Sequence, residues 1–208
     1  MSGSSAISSR RSRSVESFGC AADAIGQIVP GLSLFAITRG QWSMIDAILA
    51  VLDQVGASHL SLWTWTVADY EVEVLERLIA DGRILLGCLV IDHGARKKNA
   101  SIIARWKSSF GPDSVRYVIN HAKIATIHNE KFKLCLRGSM NLNHNPRFEQ
   151  FDITEGGSDF DLVKEIESEL PILSDNCSGA DVYRASRVSE SFEQEQLAFF
   201  GGVKMWAK

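Results

Sequence analysis

The chain has 208 residues, of which 45% are hydrophobic and 23% charged, and a net charge of −3, a composition typical of globular proteins with a buried core. No apolar run reaches the roughly 20 residues that a membrane-spanning helix requires, which argues against a membrane partner. The four cysteines are far apart and form no CxxC pair, so we expect free thiols and a cytoplasmic protein.

The two ends of the chain differ in composition from the middle. Residues 1–18 are rich in serine and arginine and lack an apolar segment with a cleavage site, so we predict a disordered basic arm rather than a signal peptide. Residues 19–172 are expected to form one domain. Residues 173–208 are interpreted as a C-terminal tail, and its apolar residues after an acidic stretch favour docking on the domain or on a dimer partner.

The first part of the domain alternates predicted strands and helices. Apolar runs predict strands at 32–38, 59–66 and 83–91, and apolar residues at helical spacing predict helices at 41–55 and 67–80. The strand at 83–91 is continuously apolar, which favours a sheet covered on both faces.

The second part begins with a basic helix predicted at 96–109. Short strands are expected at 115–119, 122–127, 132–136 and 148–154, followed by a helix at 159–170 that ends before Pro171. Alternating strands and helices followed by a run of strands indicate an α/β sandwich, with a mixed sheet flanked by helices on both faces.

Positive charge is concentrated in one segment. Residues 93–150 carry eleven basic and three acidic side chains, a net charge of +8, whereas residues 151–208 carry a net charge of −7. A basic segment of this kind suits an anionic, phosphate-bearing substrate. The alternative is a solvated basic surface without a ligand.

The same segment contains the residues best suited to chemistry. His121 and Lys123 are two positions apart in a predicted strand, so their side chains should project from the same face. Ser139 and Asn141 follow the end of the neighbouring predicted strand, where a tight turn at Gly138 permits a close approach. An imidazole beside an ammonium group and two polar donors is suited to bind a phosphate.

These residue types suggest a division of roles. His121 is the candidate nucleophile, which would form a phosphohistidine. The candidates for holding the non-bridging oxygens are Lys123, Ser139 and Asn141. Glu149, at the start of the next strand, is expected to orient the imidazole as a carboxylate does in a triad.

The stretch from Asn120 to Phe151 resembles the HKD motif of the phospholipase D superfamily, and the element order of 32–170 is similar to one half of that superfamily's fold. The resemblance implies a phospholipase D-like domain over 19–172 that needs no metal and no other cofactor. Gly138 and Arg147 within the motif are further candidates for phosphate contacts. The basic helix adds Arg96, Lys97 and Lys98 as candidates for contacts to a phosphate backbone, with a solvated face as the alternative.

The motif departs from the family's pattern at three points. His128 stands where the family has aspartate, the segment from His128 to Gly138 is three residues longer than usual, and Arg147 replaces a frequent asparagine. The sequence contains no second HKD motif. Small single-motif members, such as bacterial Nuc-type endonucleases, complete the site by homodimerisation, so we expect a homodimer related by a two-fold axis.

The resemblance implies a metal-independent phosphodiesterase that cleaves nucleic acid, with DNA favoured over RNA as the substrate. Two alternatives stay open: a nucleic-acid-binding protein that keeps the fold with a weakened motif, and a lipid phosphodiesterase. Zinc is disfavoured because the spacing of Cys135, His121, His128 and His144 matches no compact ligand pattern. Trp63 and Trp65 are expected to belong to the core, with stacking on bases as the alternative.

Overall fold

The computed structural model describes the backbone of residues 11–15 and the complete residues 20–142 and 147–186. The described strands are β1 Arg11–Val15, β2 Ser33–Thr38, β3 Ser58–Thr64, β4 Ile84–Asp92, β5 Val115–Val118, β6 Ile124–His128, β7 Lys133–Gly138 and β8 Glu149–Glu155. The described helices are α1 Ala21–Ile25, α2 Met44–Val55, α3 Asp69–Ala80, α4 Ala100–Phe110, α5 Ser158–Glu169 and α6 Gly179–Ala185.

All of these strands belong to one mixed sheet in the order β1-β2-β8-β7-β6-β3-β4-β5. The pairs β1–β2, β3–β4 and β4–β5 are parallel. The pairs β2–β8, β8–β7, β7–β6 and β6–β3 are antiparallel. The last three pairs place the motif segment in the middle of the sheet, between the two groups of parallel strands.

Alternating residues on the central strands belong to two separate hydrophobic clusters. On one face, Leu60 and Leu134 pack with apolar residues of α1, α2, α3 and α4. On the other face, Cys135 packs with Phe160 and Val163 of α5. Successive strand residues point to opposite faces, so helices cover both faces of the sheet. The predicted α/β class with a mixed sheet flanked on both faces is confirmed.

Local sequence explains how the longest helices begin and end. Ser43 and Asp46 form a capping box at the start of α2, which satisfies main-chain donors that have no partner inside the helix. Gly56 follows α2 with a φ of +81°, a conformation that glycine adopts without steric cost. None of the helices in the described ranges is long and apolar enough to span a bilayer.

The structure differs from the predicted elements at several places, of which three concern the arm and the segment that carries the motif. Residues 11–15, expected within a disordered arm, form β1 against the otherwise unpaired edge of β2, where free backbone groups accept another strand. The basic helix begins at Ala100 instead of residue 96, because 93–99 form a 3-10 turn and a further turn. Strand β6 begins at Ile124, so His121 and Lys123 lie in the connection before it.

The first residues of the predicted tail lie against the domain. Helix α6 contacts β5, and its Val182 is fully buried with Cys177 in the main core. The hydroxyl of Tyr117 donates a hydrogen bond of 2.5 Å to Asp175, and Lys107 donates to the same carboxylate. Residues 187–208 of the predicted tail lie outside the described residues, as does most of the predicted arm.

Candidate active site

The candidate residues gather at one edge of the sheet. This edge is formed by the carboxyl ends of β2, β3, β4, β5 and β7 and by the amino ends of β6 and β8, as the strand pairings require. In open α/β sheets, ligands bind outside the carboxyl ends of the strands. The fold therefore brings residues from distant parts of the chain to the usual place of a ligand site.

His121 lies in the connection between β5 and β6 and is exposed to solvent. The preceding residue, Asn120, is 7% exposed and anchors this connection. Its side-chain amide donates to the carbonyl of Thr64 over 3.2 Å, and its side-chain oxygen accepts from the main-chain N–H of Ala122 over 2.8 Å. The main chain on both sides of His121 is therefore fixed to the sheet, while its imidazole is accessible.

A carboxylate at the end of β4, that of Asp92, also holds the connection between β5 and β6. Asp92 accepts the main-chain N–H of Asn120 over 2.9 Å with one oxygen. With the other oxygen it accepts the main-chain N–H of Gly94 over 2.8 Å. Sequence reasoning missed both Asp92 and Asn120. The available signal was a polar residue at the end of each of two apolar strands.

Lys123 is a buried cation, 7% exposed, just before β6. Its ammonium group donates a hydrogen bond of 2.6 Å to the main-chain carbonyl of His121. Burial lowers the pKa of Lys123 below its ordinary value, and the Glu149 carboxylate opposes that shift. A buried charge is costly unless a nearby group of opposite sign compensates it, so this position favours an anionic ligand.

Ser139 and Glu149 form a bonded pair beside Lys123. The Ser139 hydroxyl donates to the Glu149 carboxylate and accepts the main-chain N–H of Gln150 over 2.9 Å. Glu149 is 9% exposed, and Arg147 lies 3.7 Å from its other oxygen. In the described part of the chain, Glu149 therefore contacts Ser139 and Arg147, and its expected action on His121 stays a prediction.

Gly138 lies where β7 and β8 approach each other closely, next to Ser139. Its main-chain N–H donates to the carbonyl of Lys123 over 3.1 Å. A Cβ atom at this position would overlap the main-chain oxygen of Gln150. The close approach of β7 and β8 that places Ser139 next to Glu149 thus requires glycine.

Asn141 follows in the loop that leaves the same edge. Its side-chain oxygen is buried and has no hydrogen-bond partner among the described residues. The next residue, Leu142, forms a bridge with Val67 and accepts the N–H of Ala68 over 2.9 Å. A buried acceptor without a partner is unfavourable, so a donor from a ligand or a water molecule would complete it.

The basic residues before α4 divide into two groups. Lys97 and Lys98 are exposed in the turn that follows β4, at the edge that carries the motif. Arg96 instead donates to the carbonyl of Cys177 over 3.2 Å and lies over the ring of Tyr117 at 5.6 Å. The structure therefore leaves the two lysines accessible and places Arg96 against the described part of the tail.

His128 lies at the far end of β6, at the opposite edge of the sheet from Lys123. Its ring meets those of His59 at 4.8 Å and Phe160 at 5.5 Å. Burial lowers the pKa of His128, and the positive charge of Lys164 lowers it further. The residue that replaces the motif's aspartate is thus separated from the other candidates by the length of the strand.

Within the described ranges, no group of three or more His, Cys, Asp or Glu side chains is arranged to hold a metal ion. His144, one of the histidines considered as a zinc ligand, lies outside those ranges.

Comparisons with known proteins show similarity at the level of structure. No family model matches the sequence, and the curated proteins contain no match. The structure is similar to that of polyphosphate kinase from Porphyromonas gingivalis, with 15% identity, a TM-score of 0.46, and coverage of 81% of this chain and 32% of the kinase. The chain thus spans about a third of the kinase's length. At this TM-score the similarity assigns neither a family nor an activity.

Proposed function

We propose that this protein is a phosphodiesterase of the phospholipase D type that cleaves nucleic acid through a phosphohistidine on His121. The observation that carries the proposal is the buried Lys123 ammonium, 7% exposed and bonded to the carbonyl of an exposed histidine at 2.6 Å. A phosphodiester at this edge would bring negative charge to a buried cation and phosphorus to an accessible nucleophile.

The first step forms one bond and breaks one. An imidazole nitrogen of His121 attacks phosphorus, an N–P bond forms, and the P–O bond to the leaving group breaks. The leaving oxygen takes a proton from a general acid. Lys123 and the side-chain amide N–H of Asn141 donate to the non-bridging oxygens and stabilise the charge that develops on them.

The second step returns the enzyme to its starting state. Water attacks phosphorus, the N–P bond breaks, and the electron pair returns to His121. The former general acid, now a base, takes the proton from the water. No step transfers electrons between reactants or requires a metal ion.

We propose that the general acid is His121 of a second copy of the chain. In the described residues, the other histidines near the sheet are His59 and His128 at the opposite edge and His93, whose Nδ1 is buried. The exposed His121 of each motif would then face its counterpart across a two-fold axis. The homodimer thus supplies the second histidine that a single motif lacks.

Nucleic acid is the substrate class that suits the charge distribution. Segment 93–150 has a net charge of +8, and Lys97 and Lys98 are exposed beside the motif. Contacts of this kind neutralise backbone phosphates without reading bases. We propose DNA over RNA as the natural substrate.

One observation favours a second candidate, a nucleic-acid-binding protein without catalysis. The Ser139 hydroxyl already donates to Glu149 and accepts from Gln150, so it must give up the Glu149 bond before it can donate to a phosphate. His128 also stands where the motif has a carboxylate. A binder would use Lys97 and Lys98 without forming the phosphohistidine.

The test compares cleavage of plasmid and single-stranded DNA in EDTA by the wild type, His121→Ala and His59→Ala. The proposal requires cleavage by the wild type, loss of cleavage in His121→Ala, and retention in His59→Ala, which removes a histidine at the opposite edge. A folded wild-type dimer that binds DNA but cleaves none would overturn the catalytic proposal. If Lys97→Gln with Lys98→Gln then weakened binding, the binding protein would be favoured.

A further inference from the structure

Three large apolar side chains are exposed at the edge that carries the candidate site. Trp65 is 46% exposed, Ile119 54% and Phe148 66%. Trp65 follows β3 directly, and the carbonyl of its neighbour Thr64 accepts the Asn120 amide. Ile119 precedes His121 by two positions, and Phe148 immediately precedes Glu149. Each of the three is thus a near neighbour in sequence of a group that builds the site.

The two aromatic residues flank the motif across the sheet. Phe148 directly precedes β8, and Trp65 directly follows β3. Strands β7 and β6 lie between β8 and β3 in the sheet. Ser139 directly follows β7, and Lys123 directly precedes β6. Neighbouring strands are about 4.8 Å apart. The polar groups that would hold a phosphate therefore have an exposed aromatic residue on each side.

Phe148 is also paired with a positive charge. The Arg39 guanidinium lies 5.2 Å from the centre of its ring. In contrast, Trp63 is half-buried against α5 and donates to Glu167, so only the first of the two strand tryptophans belongs to the core. Exposed aromatic residues beside cations are the groups on which single-strand-binding proteins stack bases.

Resting on the proposed function, we infer that the site takes single-stranded nucleic acid, with Trp65 and Phe148 stacking on the bases that flank the bound phosphate. The bases of a duplex are already stacked on one another and offer no free ring face at the backbone. A single strand offers a free ring face on either side of each phosphate. Charge alone would not distinguish the two forms, whereas the aromatic residues do.

The inference is tested by fluorescence anisotropy with a labelled oligonucleotide, single-stranded or annealed to its complement, at one fixed ionic strength. His121→Ala is the background, so that cleavage does not interfere. We expect tighter binding of the single strand. Trp65→Ala and Phe148→Ala should each weaken single-strand binding about tenfold and change duplex binding less than twofold. Leu86→Ala, which removes a side chain 60% exposed at the opposite edge, is the matched control.

Binding of the duplex as tightly as the single strand would overturn the inference, and so would equal weakening of both forms by Trp65→Ala. Sedimentation velocity of the same variants separates a third case. If Trp65→Ala dissociates a dimer without selective loss of single-strand binding, a second copy covers this surface and the inference is wrong.

The two proposals fail in different ways. Selective single-strand binding without cleavage by the wild type would support the stacking residues and reject the catalytic step. If the wild type cleaved both forms and Trp65→Ala and Phe148→Ala left the rates unchanged, the catalytic step would be supported and the stacking residues rejected.

Discussion

The ammonium group of Lys123 donates a hydrogen bond to the main-chain carbonyl of His121, 2.6 Å away. The buried cation is thus tied directly to the connection that presents the candidate nucleophile. Its burial lowers its pKa below the ordinary value of 10.5. Burying a charged group lowers the stability of the fold, and such a cost is expected at a site that binds an anion.

Lys123→Met should separate stability from function. We expect a decrease in kcat of about two to three orders of magnitude, because a charge that stabilises the transition state is lost. We expect no loss of stability near neutral pH, because the substitution removes a buried charge. The measurements are cleavage rates and urea denaturation.

The pH dependence checks the same claim with a defined sign. Between the lowered folded pKa of Lys123 and its ordinary value of 10.5, the unfolded chain binds more protons than the folded chain. The stability of the wild type should therefore rise with pH through this window, and that of Lys123→Met should rise less. Identical pH profiles for the two proteins would contradict the assignment.

Gly138→Ala should destabilise the fold by about 1–3 kcal/mol, because the added Cβ would overlap the Gln150 carbonyl oxygen. It should also lower activity, because Ser139 and Glu149 depend on that close approach. The matched control is Gly179→Ala, whose Cβ would meet its nearest neighbour, His93, at 3.8 Å. Thermal denaturation of both variants decides the point: equal melting temperatures would contradict it.

Asn120→Asp should weaken the anchor of the His121 connection. The change places a carboxylate oxygen opposite the carbonyls of Thr64 and Val90, which now accept from the amide. We expect a loss of stability of about 1–3 kcal/mol and a larger loss of cleavage than of DNA binding. Asn176→Asp, at an exposed position, is the control. A variant with wild-type kcat would show that the anchor does not position His121.

His128 should make the protein less stable in mild acid. Its folded pKa lies below the ordinary value of 6.5, first through burial and then through Lys164 and His59. As pH falls through 6.5, the unfolded chain therefore takes up the proton before the folded chain, and stability decreases. His128→Gln should reduce this slope on denaturation between about pH 7.5 and pH 5. An unchanged slope would assign the effect to another group.

Much of the fold follows from local apolar patterns. The alternating segments around Leu60 and Leu134 indicate which residues are buried, and the order of strands and helices indicates a mixed sheet. The apolar run of β4 is a poorer guide, because Leu85 and Leu86 near its start are exposed. Strand β1 was missed because its pairing uses the exposed backbone of β2 and no apolar pattern marks it. Strand β6 begins later than predicted, at Ile124, because the side-chain hydrogen bonds of Asn120 hold the preceding residues in a connection.

The candidate site was only partly accessible from sequence. Lys123, Ser139 and Glu149 lie together at one edge because their strands are neighbours in the sheet, and their roles in a site stay predictions. The Ser139–Glu149 hydrogen bond depends on the register of β7 with β8, and the contacts of Asn120 with Asp92 and Thr64 join positions 28 and 56 residues apart in the sequence. Such contacts follow from strand register and from the position of each connection, and spacing along the chain does not encode them.

The central claim is that His121 carries a covalent intermediate, and trapping it is the most direct measurement. The wild type would be mixed with a labelled single-stranded oligonucleotide in EDTA, quenched in denaturant at alkaline pH, digested and analysed by mass spectrometry. The account predicts a nucleotide adduct on the peptide that contains His121, absent from His121→Ala and present in His59→Ala. Cleavage without an adduct on that peptide, or an adduct on another residue, would contradict it.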